Sequence, residues 1–62
     1  MKLVYDAEAD AAYLYLAGEK PTVAKTVAAT EEINLDFDAE GRLVGVEITA
    51  ASRVLPPQSL KR

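Results

Sequence analysis

The segments on either side of Gly41 alternate between apolar and polar residues, and this alternation constrains the fold more than any other feature. In EEINLDF (31–37) and RLVGVEIT (42–49) the alternate large residues are Ile33, Leu35, Phe37, Val44, Val46 and Ile48. A period of two places such side chains on one face of a β-strand, whereas an amphipathic helix needs spacings of three and four. The two segments therefore predict a pair of strands that share one apolar face.

The turn between these strands also has the spacing of a calcium-binding loop. In DFDAEGRLVGVE (36–47) the residues at the ligand and glycine positions are Asp36, Asp38, Glu40, Gly41 and Glu47. A calcium-binding EF-hand carries a helix on each side of its loop, but both flanks here alternate as strands do. We therefore predict a hairpin turn, with Asp38 at its first position and Gly41 at positive φ.

The register of this hairpin follows from its apolar residues, because a slip of one residue moves every side chain to the other face. A loop with an even number of residues, either 40–41 or 38–41, keeps the apolar sets of both strands together. A three-residue loop would instead pair Phe37 with Leu43 and place Glu47 opposite Ile33. We predict the even loop.

The same register collects polar residues on the opposite face of the hairpin. They are Glu32, Asn34, Asp36 and Glu47, with Gly45 among them. One interpretation is a functional carboxylate cluster beside a glycine that another backbone or a ligand approaches closely. The other interpretation is a solvated outer face with a β-bulge.

The remainder of the chain contains further strand signals and a short helix. KLVYD (2–6), AAYLYLA (11–17) and TVAKTVAAT (22–30) are predicted strands, and AASRVLPPQ (50–58) is predicted to form one or two helical turns before Pro56 and Pro57. The expected fold is α+β but mostly β: a small antiparallel meander of about five strands with a short C-terminal helix. Residues 1–57 are expected to form a single domain, and residues 58–62 a frayed tail.

Composition excludes several classes of function. The chain has 62 residues, no cysteine or histidine, and a net charge of −3. The usual zinc, haem and iron–sulfur ligands are therefore missing, and we expect no metal and no cofactor. The few basic residues are scattered rather than clustered, which argues against nucleic-acid binding. Apolar runs are too short to span a membrane and Asp6 interrupts the N-terminal one, so we expect no membrane association and a cytoplasmic location.

Two blocks of the sequence resemble a known family. YDAEADAAYLYL and INLDFDAEGRLVGVEITAAS are similar to the small prokaryotic family catalogued as domain of unknown function 2283. The matching residues are Tyr5, Asp6, Asp10, Tyr13, Asp36, Asp38, Gly41, Val44, Gly45, Glu47 and Ile48. The family often has isoleucine where this chain has Val46. The resemblance implies a strand-rich domain with a short C-terminal helix and no established activity. It also implies an association with two-gene pairs of the toxin–antitoxin kind.

These observations favour a small protein-binding module without catalytic activity, one form of which is the neutralising member of a toxin–antitoxin-like pair. The candidate functional or structural residues are Asp6, Asp10, Tyr13, Asp36, Asp38, Gly41, Gly45 and Glu47. We expect a homodimer, joined through a sheet face or along an edge by the first or middle strand, because one short helix leaves apolar sheet surface uncovered. The acidic balance fits a protein partner with a basic surface. The alternatives are a structural homo-oligomer and an enzyme that holds a divalent metal on carboxylates such as Asp10, Asp36 or Glu47.

Overall fold

The computed structural model of the protein describes residues 1–60. They form one antiparallel sheet followed by two short helices. The strands are β1 (Lys2–Asp6), β2 (Ala11–Tyr15), β3 (Lys25–Ala28), β4 (Ile33–Phe37) and β5 (Leu43–Thr49), and the helices are α1 (Ala51–Val54) and a 3₁₀ helix (Pro57–Leu60). This confirms the predicted class: a mostly β fold with five antiparallel strands and a short C-terminal helix. No helix within residues 1–60 is long and apolar enough to cross a membrane.

The strand order is β1-β2-β5-β4-β3, so neighbouring strands are consecutive in sequence at every position but one. The hairpins β1–β2, β3–β4 and β4–β5 have the predicted meander connectivity. Between the two parts, however, β2 pairs with β5 and not with β3. The central position belongs to β5, the longest strand and the one with the most buried residues. Residues 16–24 connect the first hairpin to the far edge of the sheet.

The β4–β5 register confirms the predicted faces but corrects the predicted loop. Ile33 pairs with Ile48 and Leu35 with Val46, as the apolar pattern requires. A β-bulge between Asp36 and Phe37 then shifts the ladder, so that Phe37 pairs with Leu43. The prediction of an even loop is therefore wrong. The loop has an odd number of residues, 38–42, and the shared apolar face is kept because the bulge inserts one extra residue into the ladder.

One face of the sheet carries the apolar core, beneath α1 and the 3₁₀ helix. The buried cluster consists of Ala12, Ile48 and Ala51, and partly buried residues surround it: Leu3, Tyr5, Ile33, Val46, Val54, Leu55 and Leu60. The helix α1 packs on β2 and β5. Over residues 1–60 no large side chain is fully buried, so this core is thin for a chain that is half apolar.

The tail differs in part from its predicted form. The α-helix ends at Val54, ahead of Pro56, but Pro57 begins the 3₁₀ helix instead of ending the ordered chain. Leu60 packs against the core cluster. The frayed tail was predicted to span residues 58–62, and of these residues 61 and 62 lie outside the part of the chain that the structure describes.

Gly41 occupies a backbone conformation that its position in the turn requires. Its φ is +82°, and its N–H donates to the carbonyl of Asp38 at 3.0 Å. We expect Gly41→Val to destabilise the fold by about 2 kcal/mol, because a β-branched residue is strained at positive φ. Thermal denaturation measures the effect. Gly41→Asn is the control and should lose less stability, since asparagine tolerates this region. Wild-type melting of Gly41→Val would contradict the turn assignment.

Candidate functional site

A chain of side-chain hydrogen bonds crosses the polar face of the sheet. The Tyr13 hydroxyl on β2 donates to Oδ2 of Asp36 on β4 at 2.6 Å. The Thr26 hydroxyl on the edge strand β3 donates to the other carboxylate oxygen of Asp36, also at 2.6 Å. Both oxygens of one carboxylate are therefore satisfied by hydroxyl groups from strands on either side. Hydrogen bonds to an ionised acceptor are the short and strong ones.

Gly45 makes this crossing possible. It lies on β5, between Tyr13 and Asp36, opposite Asp36 in the ladder. A Cβ atom at Gly45 would collide with the hydroxyl oxygen, Cζ and Cε1 of Tyr13. The Tyr13 side chain thus passes over a strand that has no side chain at this point. The sequence suggested that a backbone or a ligand approaches Gly45 closely, whereas the structure identifies the approaching group as the Tyr13 side chain.

Burial and hydrogen bonding keep the Tyr13 hydroxyl protonated. Burial raises the pKa of the Tyr13 phenol to about 12, and its hydrogen bond to Asp36 acts in the same direction. The hydroxyl therefore remains a donor throughout the neutral range. Asp36 is 9% exposed and is the buried polar residue among residues 1–60. With both oxygens occupied, Asp36 acts as an anchor for two strands and not as a free base or ligand.

Glu47 lies beside this network at the wall of a shallow groove. Its Oε1 accepts a hydrogen bond from the Asn34 side-chain amide at 3.1 Å, and Tyr13 is its ladder partner on β2. The groove has a volume of about 180 Å³, and its lining includes Val4, Asp6, Ala11, Tyr13, Tyr15 and Glu47. The rings of Tyr13 and Tyr15 lie 4.6 Å apart at an angle of 50°. Two carboxylates therefore border an aromatic surface.

Asp10 belongs to a separate cluster on the other side of the sheet, where it holds helix α1. Its Oδ1 accepts from the Tyr5 hydroxyl at 2.8 Å and from the Ser52 N–H at 2.9 Å. Its Oδ2 accepts from the Ser52 hydroxyl at 2.7 Å, and its carbonyl accepts from the N–H of Ala51. Ala50 precedes the helix and supplies no side-chain cap. A distant aspartate thus caps the helix in its place.

The remaining candidates, Asp6, Asp38 and Gly41, stabilise turns. Asp6 Oδ1 accepts from the N–H groups of residues 8 and 9. Asp38 Oδ1 accepts from the N–H groups of Glu40 and Arg42 at 2.9 Å each. These hydrogen bonds lower the pKa of Asp38, led by the bond from the Arg42 backbone. They are the local contacts that make aspartate a turn residue.

The calcium-like spacing does not bring its carboxylates together. Asp36 faces two hydroxyl groups, Asp38 binds its own turn, and Glu40 pairs with Arg42 at 2.8 Å. Glu47 lies along β5, beside Asn34. Within residues 1–60, no group of three or more acidic side chains is placed to hold a metal ion.

The structure adds two residues that the sequence did not mark as candidates for these clusters. Thr26 looked like an ordinary β-branched strand residue, and its role depends on the pairing of Thr26 with Asp36 across β3 and β4. Ser52 lies in the segment predicted to be helical, and its partner, Asp10, is 42 residues away. Neither contact has a local signal, because each depends on how distant elements meet.

Substitutions at Gly45 and Tyr13 should be strongly coupled. Gly45→Ala alone should destabilise the protein by about 2 kcal/mol, because it displaces the Tyr13 ring and leaves Asp36 without one of its donors. In a Tyr13→Ala background the same Gly45→Ala change should be close to neutral, because nothing then occupies the space. Chemical denaturation of the four proteins measures this coupling. An equal loss of stability from Gly45→Ala in wild type and in Tyr13→Ala would contradict the contact between Tyr13 and Gly45.

Asp10 should make stability depend on pH in the acid range. Hydrogen bonds from Ser52 and Tyr5 lower the pKa of Asp10 from its ordinary value of 3.8. The carboxylate therefore stabilises the folded state above that pH, and this contribution is lost as the pH falls through the lower folded-state pKa. We expect the melting temperature of wild type to exceed that of Asp10→Asn at neutral pH and the difference to shrink in acid. Asparagine tolerates the positive φ of +50° at this position, and it removes the charge together with one of the two acceptor oxygens. A difference that does not change with pH would refute this role.

Calcium should leave the stability unchanged, because the acidic residues of segment 36–47 are engaged in separate contacts. The measurement is thermal denaturation with calcium or with a chelator, using wild type and Glu47→Gln. A calcium-dependent rise in melting temperature that disappears in Glu47→Gln would overturn this expectation.

Comparison with known proteins gives a family and no activity. No curated protein and no solved structure matches the chain. A family model does match, over residues 2–52, and this range includes all five strands and the first residues of α1. It contains the Tyr13–Asp36 network, Gly45 and the Asp10 cap. The chain therefore belongs to the family described as protein of unknown function (DUF2283).

Proposed function

We propose that this protein is a non-catalytic protein-binding module that binds a basic segment of a partner protein. The observation that carries the proposal is the groove on the polar face, where Tyr13 and Tyr15 lie between the carboxylates of Asp6 and Glu47. Tyrosine is enriched at protein interfaces because its ring buries apolar area while its hydroxyl remains hydrogen-bonded. A pair of aromatic rings bordered by carboxylates can bind a lysine or arginine side chain, because the ring faces and the carboxylates both attract a cation.

The charge around the groove favours a cationic occupant. No lysine or arginine is among the lining residues. The nearest base in the ladder is Lys2, opposite Tyr15, and its ammonium group is held by Glu19 at 2.9 Å. Glu47 has an amide partner but no cationic one among the described residues. An incoming cation would therefore meet acceptor groups whose charge is not compensated locally.

Rigidity of the wall supports a binding role. The hydroxyl of Tyr13 is fixed by Asp36, and the ring is packed over Gly45 and against Tyr15. A surface that is already ordered loses little conformational entropy when it binds. The groove is also shallow and exposed, and the buried carboxylate next to it has both oxygens occupied by hydroxyl donors. These features suit recognition better than chemistry, which needs a base with a free lone pair in a site that excludes water.

A neutralising role in a toxin–antitoxin-like pair is one form of this proposal, in which the partner is a basic toxin-like protein and the complex is cytoplasmic. A structural homo-oligomer is the second candidate. It is favoured by the thin core, since no large side chain is fully buried in residues 1–60 and Val27 on the apolar face is 38% exposed.

The experiment uses a short lysine- and arginine-rich peptide as the probe, with a glutamate-rich peptide of equal length as the control. We expect the basic peptide to shift the NMR resonances of Tyr13, Tyr15 and Glu47, and the acidic peptide to leave them unchanged. Glu47→Gln should weaken the interaction severalfold. The matched variant Glu31→Gln removes one exposed acid from the β3–β4 turn, which is not part of the groove lining, and should leave the interaction unchanged.

The two glutamate variants separate a specific site from general attraction to an acidic protein. Equal weakening by Glu31→Gln and Glu47→Gln would refute the groove as the binding site. Absence of any shift in the groove with the basic peptide would refute the proposal in its stated form.

A further inference from the structure

The outer edge of β1 is open and has an unusual charge pattern. The strand lies at the end of the sheet order, and no strand within residues 1–60 pairs with its outer side. Its sequence is KLVYD, with a base at one end, an acid at the other and three apolar or aromatic residues between. Val4 in the middle is 42% exposed. Open edges with exposed apolar residues are templates for pairing with another strand.

Two-fold symmetry limits how two copies of β1 can pair. A two-fold axis perpendicular to the sheet keeps each face continuous. Because directly opposite residues point to the same face, one residue of the strand must then lie opposite the same residue of the other copy, with the axis between them. With Val4 on the axis, Lys2 lies opposite Asp6 of the other copy and Leu3 lies opposite Tyr5 of the other copy. All five residues of the strand then have partners. Registers centred on Leu3 or Tyr5 leave residues unpaired and lose both charge pairs.

The faces agree with this register. Lys2, Val4 and Asp6 alternate with Leu3 and Tyr5, which lie opposite Leu14 and Ala12 in the β1–β2 ladder. Leu3 and Tyr5 are among the partly buried residues that pack against the core cluster. Pairing across β1 would therefore join the two apolar cores at their edges and bring the Val4 side chains together on the polar face. The thin core of each copy would gain apolar neighbours.

Lys2 and Asp6 are both available to form ion pairs with the other copy. The ion pair of Lys2 with Glu19 is exposed, with side-chain exposures of 57% and 62%, and such pairs contribute little. Asp6 uses Oδ1 for its turn, and its Oδ2 has no hydrogen-bond partner in residues 1–60. Opposite charges at facing positions stabilise an antiparallel pair, and like charges destabilise it.

The other edge of the sheet lacks this complementarity. On β3, a two-fold axis through Thr26 sets Lys25 opposite Val27, and an axis through Val27 sets Lys25 opposite Ala29. In neither register does an acidic residue lie opposite Lys25. Lys25 is also paired with Phe37 on the apolar face, and a lysine placed there is a device by which edge strands resist association.

We propose that the protein forms a homodimer by antiparallel pairing of β1 with β1 of a second copy, centred on Val4 and closed at both ends by Lys2–Asp6 ion pairs. The two sheets then form one continuous sheet. This interface shares Val4 and Asp6 with the lining of the groove proposed above, whereas Glu47 lies on β5, two strands from the edge. The Glu47→Gln variant therefore tests the groove, and Lys2→Asp tests the dimer.

The test compares the same substitution on the two edges of the sheet. Val4→Lys on β1 and Val27→Lys on β3 replace valines of similar exposure, 42% and 38%, on edge strands. Sedimentation equilibrium at micromolar concentrations gives the oligomeric state, and circular dichroism checks that each variant is folded. We expect wild type and Val27→Lys to be dimers and Val4→Lys to be a monomer.

A second pair of variants tests the register and remains informative if Val4→Lys fails to fold. Lys2→Asp places acidic residues opposite each other at both ends and should dissociate the dimer. Asp6→Asn keeps the turn acceptor but removes the charge, so it should weaken the dimer less than Lys2→Asp does. A monomeric wild type, loss of the dimer in Val27→Lys but not in Val4→Lys, or an unchanged dimer in Lys2→Asp would each overturn the proposal.

Discussion

The passage of the Tyr13 side chain over Gly45 is the contact on which the sheet depends most. It allows a residue of β2 to reach Asp36 on β4 across the whole width of β5, and Thr26 continues the connection to β3. One hydrogen-bonded chain thus ties three of the five strands, β2, β4 and β3, and passes over a fourth, β5. It compensates in part for a core that contains no fully buried large side chain within residues 1–60. Both oxygens of Asp36 have hydrogen-bond donors where solvent is mostly excluded, and a buried polar network is rigid when all its members have partners.

Two aspartates, Asp36 and Asp10, connect different parts of this small fold. Asp36 joins strands on the polar face, whereas Asp10 joins the β1–β2 turn to α1 on the apolar face through Ser52 and Tyr5. Polar residues that looked like a catalytic or metal-binding set in the sequence are therefore mainly structural. They leave accessible the groove beside Glu47 and the open edge of β1, which are the two surfaces that we propose for binding another protein.

Local patterns predicted the elements, but not the way in which the elements meet. The bounds of β1 follow from a short apolar run before a polar turn, and period-two alternation predicts the shared face of Ile33, Leu35, Val46 and Ile48. The bulge near Phe37 and the adjacency of β2 and β5 were not, because the strand signal is the same whichever neighbour a strand has. Gly45 was suspected of a close approach. Identifying Tyr13 as the approaching group needed the order of the strands.

The nuclear Overhauser spectrum of the protein tests the central contact most directly. The structure predicts cross-peaks between the Tyr13 Hε protons and an Hα proton of Gly45, together with an upfield shift of that Hα proton caused by the ring. Both signals should vanish in Tyr13→Leu, while the cross-peaks between β2 and β5 backbones remain. A folded wild-type protein in which Gly45 has ordinary Hα shifts and no cross-peak to Tyr13 would contradict the account.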